Sequence, residues 1–433
     1  MRYISTRGGA ESVDFEGALF SGYAADGGLF MPEKIPVLDY ATLQKWSTFS
    51  YPELVEELCS IFISPELIPK AELNGQFLQY FLKKKKKHVT ILVGTSGDTG
   101  SAAIESVRGE KNMDIFVLLP HGLCSQVQEL QMTTVIEENV HVFLAEGNSD
   151  EIDKPIKELF ADEDFSRRHK LMSLNSINWS RILVQMAHYF YAYFQCAPSM
   201  DAPPLPVVEI IVPTGAGGNL TAGYIAKKMG LPIELVAAVN DNNIVHRAIQ
   251  HGDFSLSGSV KSTPASAMDI LEPYNMERIF WLISGSDSNL IKSLMEEFYT
   301  TKKVKLPEEL QKKLSKELTS CSVSEEEIIQ TMRHCWEDNH YLLCPHTAVA
   351  VCCHYNHPSC RPSMARCSLA PASSVKFSAA VLKAGLTLEA SAEISALKEM
   401  ETRSSKLKKD EDWAEILRHR IEAVTRQRNR TLS

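Results

Sequence analysis

The stretch His88-Val-Thr-Ile-Leu-Val-Gly-Thr-Ser-Gly-Asp-Thr-Gly-Ser-Ala-Ala-Ile104 decides the fold. Its run from Val89 to Val93 is apolar and rich in β-branched residues, which is typical of a buried strand. Gly94, Gly97 and Gly100 follow in a turn of Thr, Ser and Asp, and an Ala-rich helix start comes next. Such a turn aims backbone N–H groups at one point near the positive end of the helix dipole. The stretch therefore predicts a strand, an anion-binding turn and a helix.

The same pattern restarts in the second half of the chain. Val207–Val212 predicts a strand, Pro213-Thr-Gly-Ala-Gly-Gly-Asn219 a glycine turn, and Leu220–Met229 a helix. Neither turn has the Gly-Lys-Ser/Thr of a P-loop, and Leu220 stands where a dinucleotide fingerprint needs its third glycine. A turn of this kind suits one phosphate monoester. Two such turns predict a site between the halves, at the C-terminal ends of the strands.

The alternation of strands and helices predicts an α/β fold with open, mostly parallel sheets and helices on both faces. We expect four parts, namely an N-terminal region (1–74), a first α/β half (75–205), a second half (206–390) and a C-terminal helical tail (391–433). The tail ends in an amphipathic helix with an acidic flank, which favours packing over membrane binding. Its apolar positions are Trp413, Ile416, Leu417, Ile421 and Val424.

Composition and charge exclude several classes of protein. The 433 residues are 44% hydrophobic and 23% charged, as in ordinary soluble proteins, and carry a formal net charge of −9. We therefore expect no attraction to nucleic acid or anionic lipid. No apolar run is long enough to span a membrane, and Met1–Arg7 lacks the apolar core of a signal peptide. These features predict a cytoplasmic protein.

Three local patterns allow a functional and a plainer interpretation. Ten cysteines in a large intracellular chain favour buried thiols over a disulfide framework. The lysine run 83–87 is either a nuclear or polyanion signal or a solvated helix end, and we favour the helix end. A Cys/His-rich stretch lacks two clean Cys-x-x-Cys pairs, so we favour core thiols with a His-rich loop over a zinc site. Its members are Cys344, His346, Cys352, Cys353, His354, His357 and Cys360.

Seven stretches, in order along the chain, together resemble the threonine synthase family. They run from the N-terminus, and the likeness ends near Leu386. The stretches are Tyr3–Gly8, Asp26–Glu33, Thr95–Ser101, Leu174–Arg181, Val212–Asn219, Ala267–Asp269 and Pro345–Val349. The resemblance implies the tryptophan synthase β-like fold of fold type II enzymes, which depend on pyridoxal 5'-phosphate (PLP).

The resemblance also implies roles for individual residues. The PLP phosphate would be held by Gly215, Ala216, Gly217, Gly218 and Asn219. Asp98 would contact the cofactor, and Ser373 or Ser374 would serve its ring nitrogen. Those serines lie in Pro371-Ala-Ser-Ser-Val-Lys-Phe377, where the family usually has Thr-Ala-His-Pro-Ala-Lys-Phe. The substrate would be bound by Thr95, Ser96, Gly97, Thr99, Asn175, Asn178 and Arg181, with Arg181 a bidentate partner for its phosphate.

One family segment is missing from the chain. Threonine synthases carry an Ala-Phe-Lys-Asp segment whose lysine forms the Schiff base with PLP, but this sequence passes from Ala71–Gly75 directly into Gln76–Tyr80. The chain resembles a shortened form, so we name no catalytic residue and expect PLP to bind without a covalent bond. The loss should remove a strand and a helix start, which would leave the first half incomplete, with exposed core and an unpaired strand edge.

The implied activity is that of a phospho-lyase. It would convert O-phosphohomoserine or O-phosphothreonine into 2-oxobutyrate, ammonia and phosphate. Without the lysine, turnover should be impaired, since general-base catalysis typically contributes ~10²–10⁴-fold. The alternative is a catalytically inactive isoform with a binding or signalling role. The expected partner is a phosphorylated amino acid, and the sequence does not indicate an oligomeric state.

Overall fold

The computed structural model describes residues 1–70, 73, 81, 88–356, 364–388 and 391–432. The lysine run 83–87 and two members of the Cys/His-rich stretch, His357 and Cys360, lie outside these residues.

A five-stranded parallel sheet forms the core of the first half, in the order β11-β5-β4-β3-β6. The apolar run that begins at Val89 forms the strand next to the edge of this sheet, and every residue of that strand is buried. β3 pairs with β4 from Val89 opposite Met113 to Gly94 opposite Leu118. The strands are Val89–Gly94 (β3), Met113–Pro120 (β4), Val140–Ala145 (β5), Leu171–Ser173 (β6) and Ser405–Leu407 (β11).

A four-stranded parallel sheet forms the second half, in the order β10-β7-β8-β9. Its strands are Val208–Pro213 (β7), Ile233–Val239 (β8), Leu318–Ser322 (β9) and Ala365–Ser368 (β10). Near the N-terminus, Tyr3–Ser5 (β1) and Phe30–Pro32 (β2) pair antiparallel. The predicted α/β class with two parallel sheets is confirmed.

Helices cover the faces of both sheets. The α-helices of the N-terminal region and first half are Phe15–Leu19, Tyr40–Trp46, Tyr51–Phe62, Asp98–Val107, Gln126–Thr133, Ser149–Ala161, Glu163–His169 and Trp179–Cys196. Those that follow are Gly218–Lys228, Ile244–His251, Met276–Ile283, Ser288–Thr301, Glu308–Glu317, Glu325–Asn339, Pro345–Asn356, Ser378–Lys383, Ala392–Glu399 and Trp413–Leu432. Ser266–Met268 and Ser374–Lys376 are 3-10 turns.

Among the described strands, β6 ends the first sheet with an unpaired edge. β6 pairs with β3 alone, and β3 pairs with β4 on its other side. The three residues of β6 are buried, so this edge leaves no apolar side chain of β6 exposed. An open sheet has such an edge in any case, so the loss of a strand before β3 stays a prediction.

The C-terminal tail packs on the first half. β11 extends the sheet by pairing parallel to β5. The helix Trp413–Leu432 places Leu417 and Ile421, 0% and 1% exposed, in one apolar cluster with residues of β3, β4 and β5. The prediction that this helix is a packing element is confirmed. In the part of the chain that the structure describes, no helix combines the length and apolarity that a membrane crossing needs.

The described cysteines are mostly buried or partly buried thiols, as predicted. Cys321 and Cys353 are the exception, because they pair as a disulfide. Burial raises the pKa of Cys344, whose sulfur contacts the hydroxyl of Thr347. Within the described ranges no group of three or more His, Cys, Asp or Glu residues is arranged to hold a metal ion.

A buried guanidinium joins the N-terminal region to both halves. Arg278, which is 0% exposed, donates to the carbonyl oxygens of Phe30, Ser176 and Ile177 and to the side-chain oxygen of Asn275, at 2.6–3.3 Å. Burial lowers the pKa of Arg278 to about 10, which leaves it protonated at neutral pH. The loop at Ser176 and the start of the helix Met276–Ile283 are therefore fixed to each other.

Replacing Leu417 with Ala should lower the free energy of unfolding by about 2–5 kcal/mol, because it opens a cavity in the core of the first half. Urea unfolding measures the change. Leu382→Ala is the matched control, since Leu382 is 65% exposed and its truncation should cost less than about 0.5 kcal/mol. Equal effects of the two substitutions would contradict a core role for the tail.

Candidate functional site

The two glycine turns line one cavity of about 680 Å³ between the halves. It lies at the C-terminal ends of β3 and β7, where the sequence places it. A volume of this size is ordinary for a cofactor site. Predicted site residues that line the cavity are Thr95, Ser96, Gly97, Asp98, Thr99, Asn175, Arg181, Gly215, Ala216, Gly217, Gly218 and Asn219.

The second turn forms a cradle that only glycine allows. Gly217 adopts a φ of +81°, in the left-handed region, and the helix Gly218–Lys228 begins directly after it. A Cβ on Gly218 would stand 2.6 Å from the Cβ of Ser176, and one on Gly215 would stand 3.1 Å from the carbonyl oxygen of Ala267. The first N–H groups of a helix have no acceptor within that helix, so these are available to an anion. The cradle fits a phosphate group.

Two side chains of the helix Trp179–Cys196 hold Asn219 in the cradle. The hydroxyl of Tyr189 lies 2.7 Å from the side-chain oxygen of Asn219 and 2.8 Å from its carbonyl oxygen. His188 contacts the same side-chain oxygen through Nε2 at 2.9 Å. Burial lowers the pKa of His188, so the ring is neutral and donates this hydrogen bond. The orientation of Asn219 is thus set before any ligand binds.

In the first turn, the hydroxyl of Thr95 shapes the loop itself. It accepts from the N–H groups of Gly97 and Gly100, each at 3.0 Å. Gly97 has a φ of +152°, and a Cβ there would collide with the side-chain amide of Gln128. The small residues of this turn are therefore required by backbone geometry as well as by any ligand.

Asp98, which lines the cavity, has two side-chain partners. One carboxylate oxygen accepts from the ammonium of Lys376 at 2.8 Å and from the amide of Gln128 at 3.2 Å. The Lys376 contact was not predicted from the sequence, since the two residues are far apart in the chain. It ties the first turn to the segment that follows β10.

Arg181 brings a positive charge into the cavity. Its guanidinium donates to the carbonyl oxygen of Leu174 at 3.1 Å and to the hydroxyl of Thr99 at 3.0 Å. No carboxylate among the described residues pairs with it, and burial lowers its pKa without removing its charge. Asn175, by contrast, already has protein partners, because its side-chain amide forms hydrogen bonds with both the N–H and the carbonyl oxygen of Gly94. Arg181 is therefore the group best placed to attract an anion.

The structure places Asn178 and Ser373, both described residues, outside the cavity lining. The amide nitrogen of Asn178 donates to the carbonyl oxygens of Leu19 and Ser173, and its oxygen caps the helix Trp179–Cys196. These contacts correct the prediction that Asn178 faces the substrate. Ser373 is exposed and accepts from the N–H of Val375, and neither Ser373 nor Ser374 lines the cavity, so the role of one of them at the ring nitrogen stays a prediction. Ala372, the neighbour of Ser373, lines the cavity instead.

Residues that received no ligand-binding role in the sequence-based prediction complete the wall. Ser176 contacts the hydroxyl of Tyr274 at 3.1 Å and accepts from Asn275 at 2.9 Å. His346 accepts from the N–H of Ala267, and burial lowers its pKa to about 4, so it is neutral. Asp153 also lines the cavity. The motif around Ala267 would have pointed to Tyr274, which follows it closely, whereas nothing in the sequence marks Asp153.

None of the described residues that line the cavity is a lysine. A phosphate cradle, a hydroxyl-rich turn and an unpaired arginine are present, but the amine that anchors PLP covalently is not among them. The residues present therefore fit the phosphate of the cofactor and do not supply its Schiff base.

Two parallel sheets with a glycine cradle at their strand ends define a PLP-dependent enzyme of fold type II. The profile of the family described as "Pyridoxal-phosphate dependent enzyme" matches residues 73–357, and that of "Threonine synthase N terminus" matches residues 2–78. The chain belongs to the threonine synthase family of PLP-dependent lyases, and its cofactor is PLP.

Individual relatives agree with this assignment. The human protein "Threonine synthase-like 2" is 59% identical, over 99% of this chain and 98% of its own length. Threonine synthase of Saccharomyces cerevisiae is 36% identical over 81% and 82% of the two chains. The structure of PLP-bound threonine synthase from Brucella melitensis superposes with a TM-score of 0.87 at 30% identity, covering 98% of this chain and 100% of that one.

Alignment length bears on the missing segment. The human relative aligns over 474 positions, more than the 433 residues of this chain. That relative therefore has residues without a counterpart here, as expected of a shortened form.

Replacing Tyr189 with Phe should weaken PLP binding roughly tenfold, because Asn219 loses the single hydroxyl proton that its two oxygens share, a hydrogen bond of about 1.5 kcal/mol. Titration with PLP, followed by tryptophan fluorescence, measures the affinity. Tyr193→Phe is the matched control on the same helix, because its hydroxyl donates to Pro206, away from the cavity. Unchanged PLP affinity in the Tyr189 variant would show that Asn219 does not contact the cofactor.

Proposed function

We propose that the chain binds PLP without a covalent bond, together with a phosphorylated amino acid of the O-phosphohomoserine or O-phosphothreonine class. The reaction of this site is the elimination of phosphate, which with water gives 2-oxobutyrate and ammonia. The observation that carries the proposal is Arg181, a charged guanidinium in the cavity with no carboxylate partner among the described residues. A second anionic group beside the phosphate of the cofactor would satisfy it.

Different residues bind the cofactor phosphate, the substrate phosphate and the substrate carboxylate. The cradle of residues 215–219 holds the cofactor phosphate, and Asp98 borders the cofactor with its charge balanced by Lys376. Arg181 and the hydroxyl of Thr99 form a joint donor group for the phosphate of the substrate. In the rest of the first turn, Thr95–Gly97, the N–H and hydroxyl of Ser96 are offered to its carboxylate, while Thr95 and Gly97 bond to each other and hold the turn in shape. PLP, when bound, supplies an electron sink for charge that develops at the substrate α-carbon.

Turnover is expected to be slow because the described cavity residues include no lysine to take the α-proton. General acid–base groups typically contribute ~10²–10⁴-fold to a rate. The site would then bind its ligands well and process them poorly.

A second candidate function follows from the same observation. A chain that retains the cradle and Arg181 but lacks a cavity lysine suits a binding or signalling role, in which occupancy by PLP or a phosphorylated amino acid is the output. The two candidates share their ligands and differ in turnover.

One experiment separates them. The purified chain is incubated with PLP and O-phospho-L-threonine, phosphate and 2-oxobutyrate are assayed, and a parallel sample without the amino acid is reduced with borohydride for intact-mass analysis. Slow phosphate release without a PLP adduct supports the impaired lyase, and binding without release supports the second candidate. A stoichiometric adduct on one lysine would refute non-covalent binding, and absence of binding would refute both.

Replacing Arg181 with Met should weaken binding of O-phospho-L-threonine by about tenfold to a hundredfold, because a charge-assisted pair to phosphate is lost. Calorimetric titration of the PLP-loaded chain measures this. Arg167→Met is the matched control, since the Arg167 side chain is 76% exposed on a distant helix. Equal affinities of the Arg181 variant and the parent chain would contradict the proposed phosphate site.

A further inference from the structure

Asp153 is an acidic residue that lines the cavity. It belongs to the helix Ser149–Ala161, and its carboxylate lies over the end of β3, where a Cβ on Gly94 would collide with it. Asp153 also lines a second, adjacent cavity of about 10 Å³, which is roughly the space of one water molecule. Its carboxylate is therefore held against the strand end and open to the main cavity.

The Asp153 carboxylate has no protein partner among the described residues. It makes no hydrogen bond and no ion pair within them, whereas Asp150, one turn earlier, accepts from the backbone N–H groups of Leu271 and Glu272. Lys157, one turn later, pairs with Glu272 at 3.4 Å instead. Burial raises the pKa of Asp153 to about 6, and Lys157 offsets this only in part. At neutral pH the group is thus a carboxylate without a bonded cation.

The cavity consequently carries two opposite, unpaired charges. Arg181 has no carboxylate partner among the described residues, and Asp153 has no cationic one. Both line the same cavity as Tyr274, and they shift the pKa of its phenol in opposite directions, Asp153 upward and Arg181 downward. Leaving two such charges unpaired is costly, and a ligand with both an anionic and a cationic group would pair both.

We propose that Asp153 binds the ammonium group of the amino-acid ligand and so selects phosphorylated amino acids over phosphorylated acids that lack an amine. This inference rests on the proposed function, since it assigns the amine of the same ligand whose phosphate pairs with Arg181. The chemistry is an ion pair between a carboxylate and a primary ammonium, without a covalent step. Asp153 is a specificity residue, because it discriminates between ligands.

The test compares two ligands that differ in the amine alone. O-phospho-L-threonine and 3-phosphooxybutanoate are titrated calorimetrically at pH 7.5 into the full chain saturated with pyridoxine 5'-phosphate. That analogue carries an alcohol in place of the aldehyde of PLP, so it cannot react with the amine. The parent chain should bind O-phospho-L-threonine about tenfold to a hundredfold more tightly than 3-phosphooxybutanoate.

The variant Asp153→Asn should bind both ligands alike, with the affinity for 3-phosphooxybutanoate unchanged. Asp150→Asn is the matched control on the same helix, and it should keep the preference for the amine because Asp150 is engaged by backbone N–H groups. Thermal unfolding of each variant checks that the fold is retained.

Three results would overturn the inference. If the preference survives in Asp153→Asn, or if that variant weakens both ligands equally, Asp153 does not recognise the amine, while the proposed function stands. If the parent chain binds the two ligands with equal affinity, the inference also fails alone. If neither ligand binds the parent chain, the proposed function fails and the inference fails with it.

Discussion

The buried guanidinium of Arg278 is the contact on which the geometry of the site depends. Its donors reach carbonyl oxygens of the N-terminal region and of the loop at Ser176, and the side-chain oxygen of Asn275. A buried cation is stable only when its donors are satisfied, so these segments have little freedom to separate. Ser176 in turn lies against Gly218 at the phosphate cradle. The distance between the two glycine turns is therefore set by a residue that touches no ligand.

The charged groups that line the cavity are suited to binding ligands, whereas the described lining includes no lysine that could act as a catalytic base. Arginine, carboxylate and helix N-terminus line it: the helix N-terminus fits the phosphate of the cofactor, and under the proposed function the other two pair with the phosphate and the amine of the amino acid. Proton transfer at carbon needs a base placed at the reacting atom, and the described wall has no lysine for this task. Recognition and turnover are separable properties, and this chain retains the elements of the first.

Local chemistry explains what the sequence could predict. The two glycine turns and the parallel sheets follow from short-range patterns of apolar strands, small residues and helix starts, and Gly97 and Gly217 adopt the backbone conformations that such turns need. Asn178 was misplaced because a motif fixes position in the chain and not the direction of a side chain. Asp153 and Arg278 were missed because their surroundings come from distant segments. The disulfide of Cys321 with Cys353 likewise depends on tertiary packing.

The pairing of β11 with β5 has a consequence for synthesis of the chain. β5 ends at Ala145, whereas its partner strand begins at Ser405, so the first half is completed by residues that leave the ribosome much later than its other strands. Contacts of such long sequence separation form late, because a large loop must close first. Until then the apolar surface that receives Leu417 is open to chaperones and to aggregation. A chain that stops short of β11 would thus lack part of the half that is synthesised first.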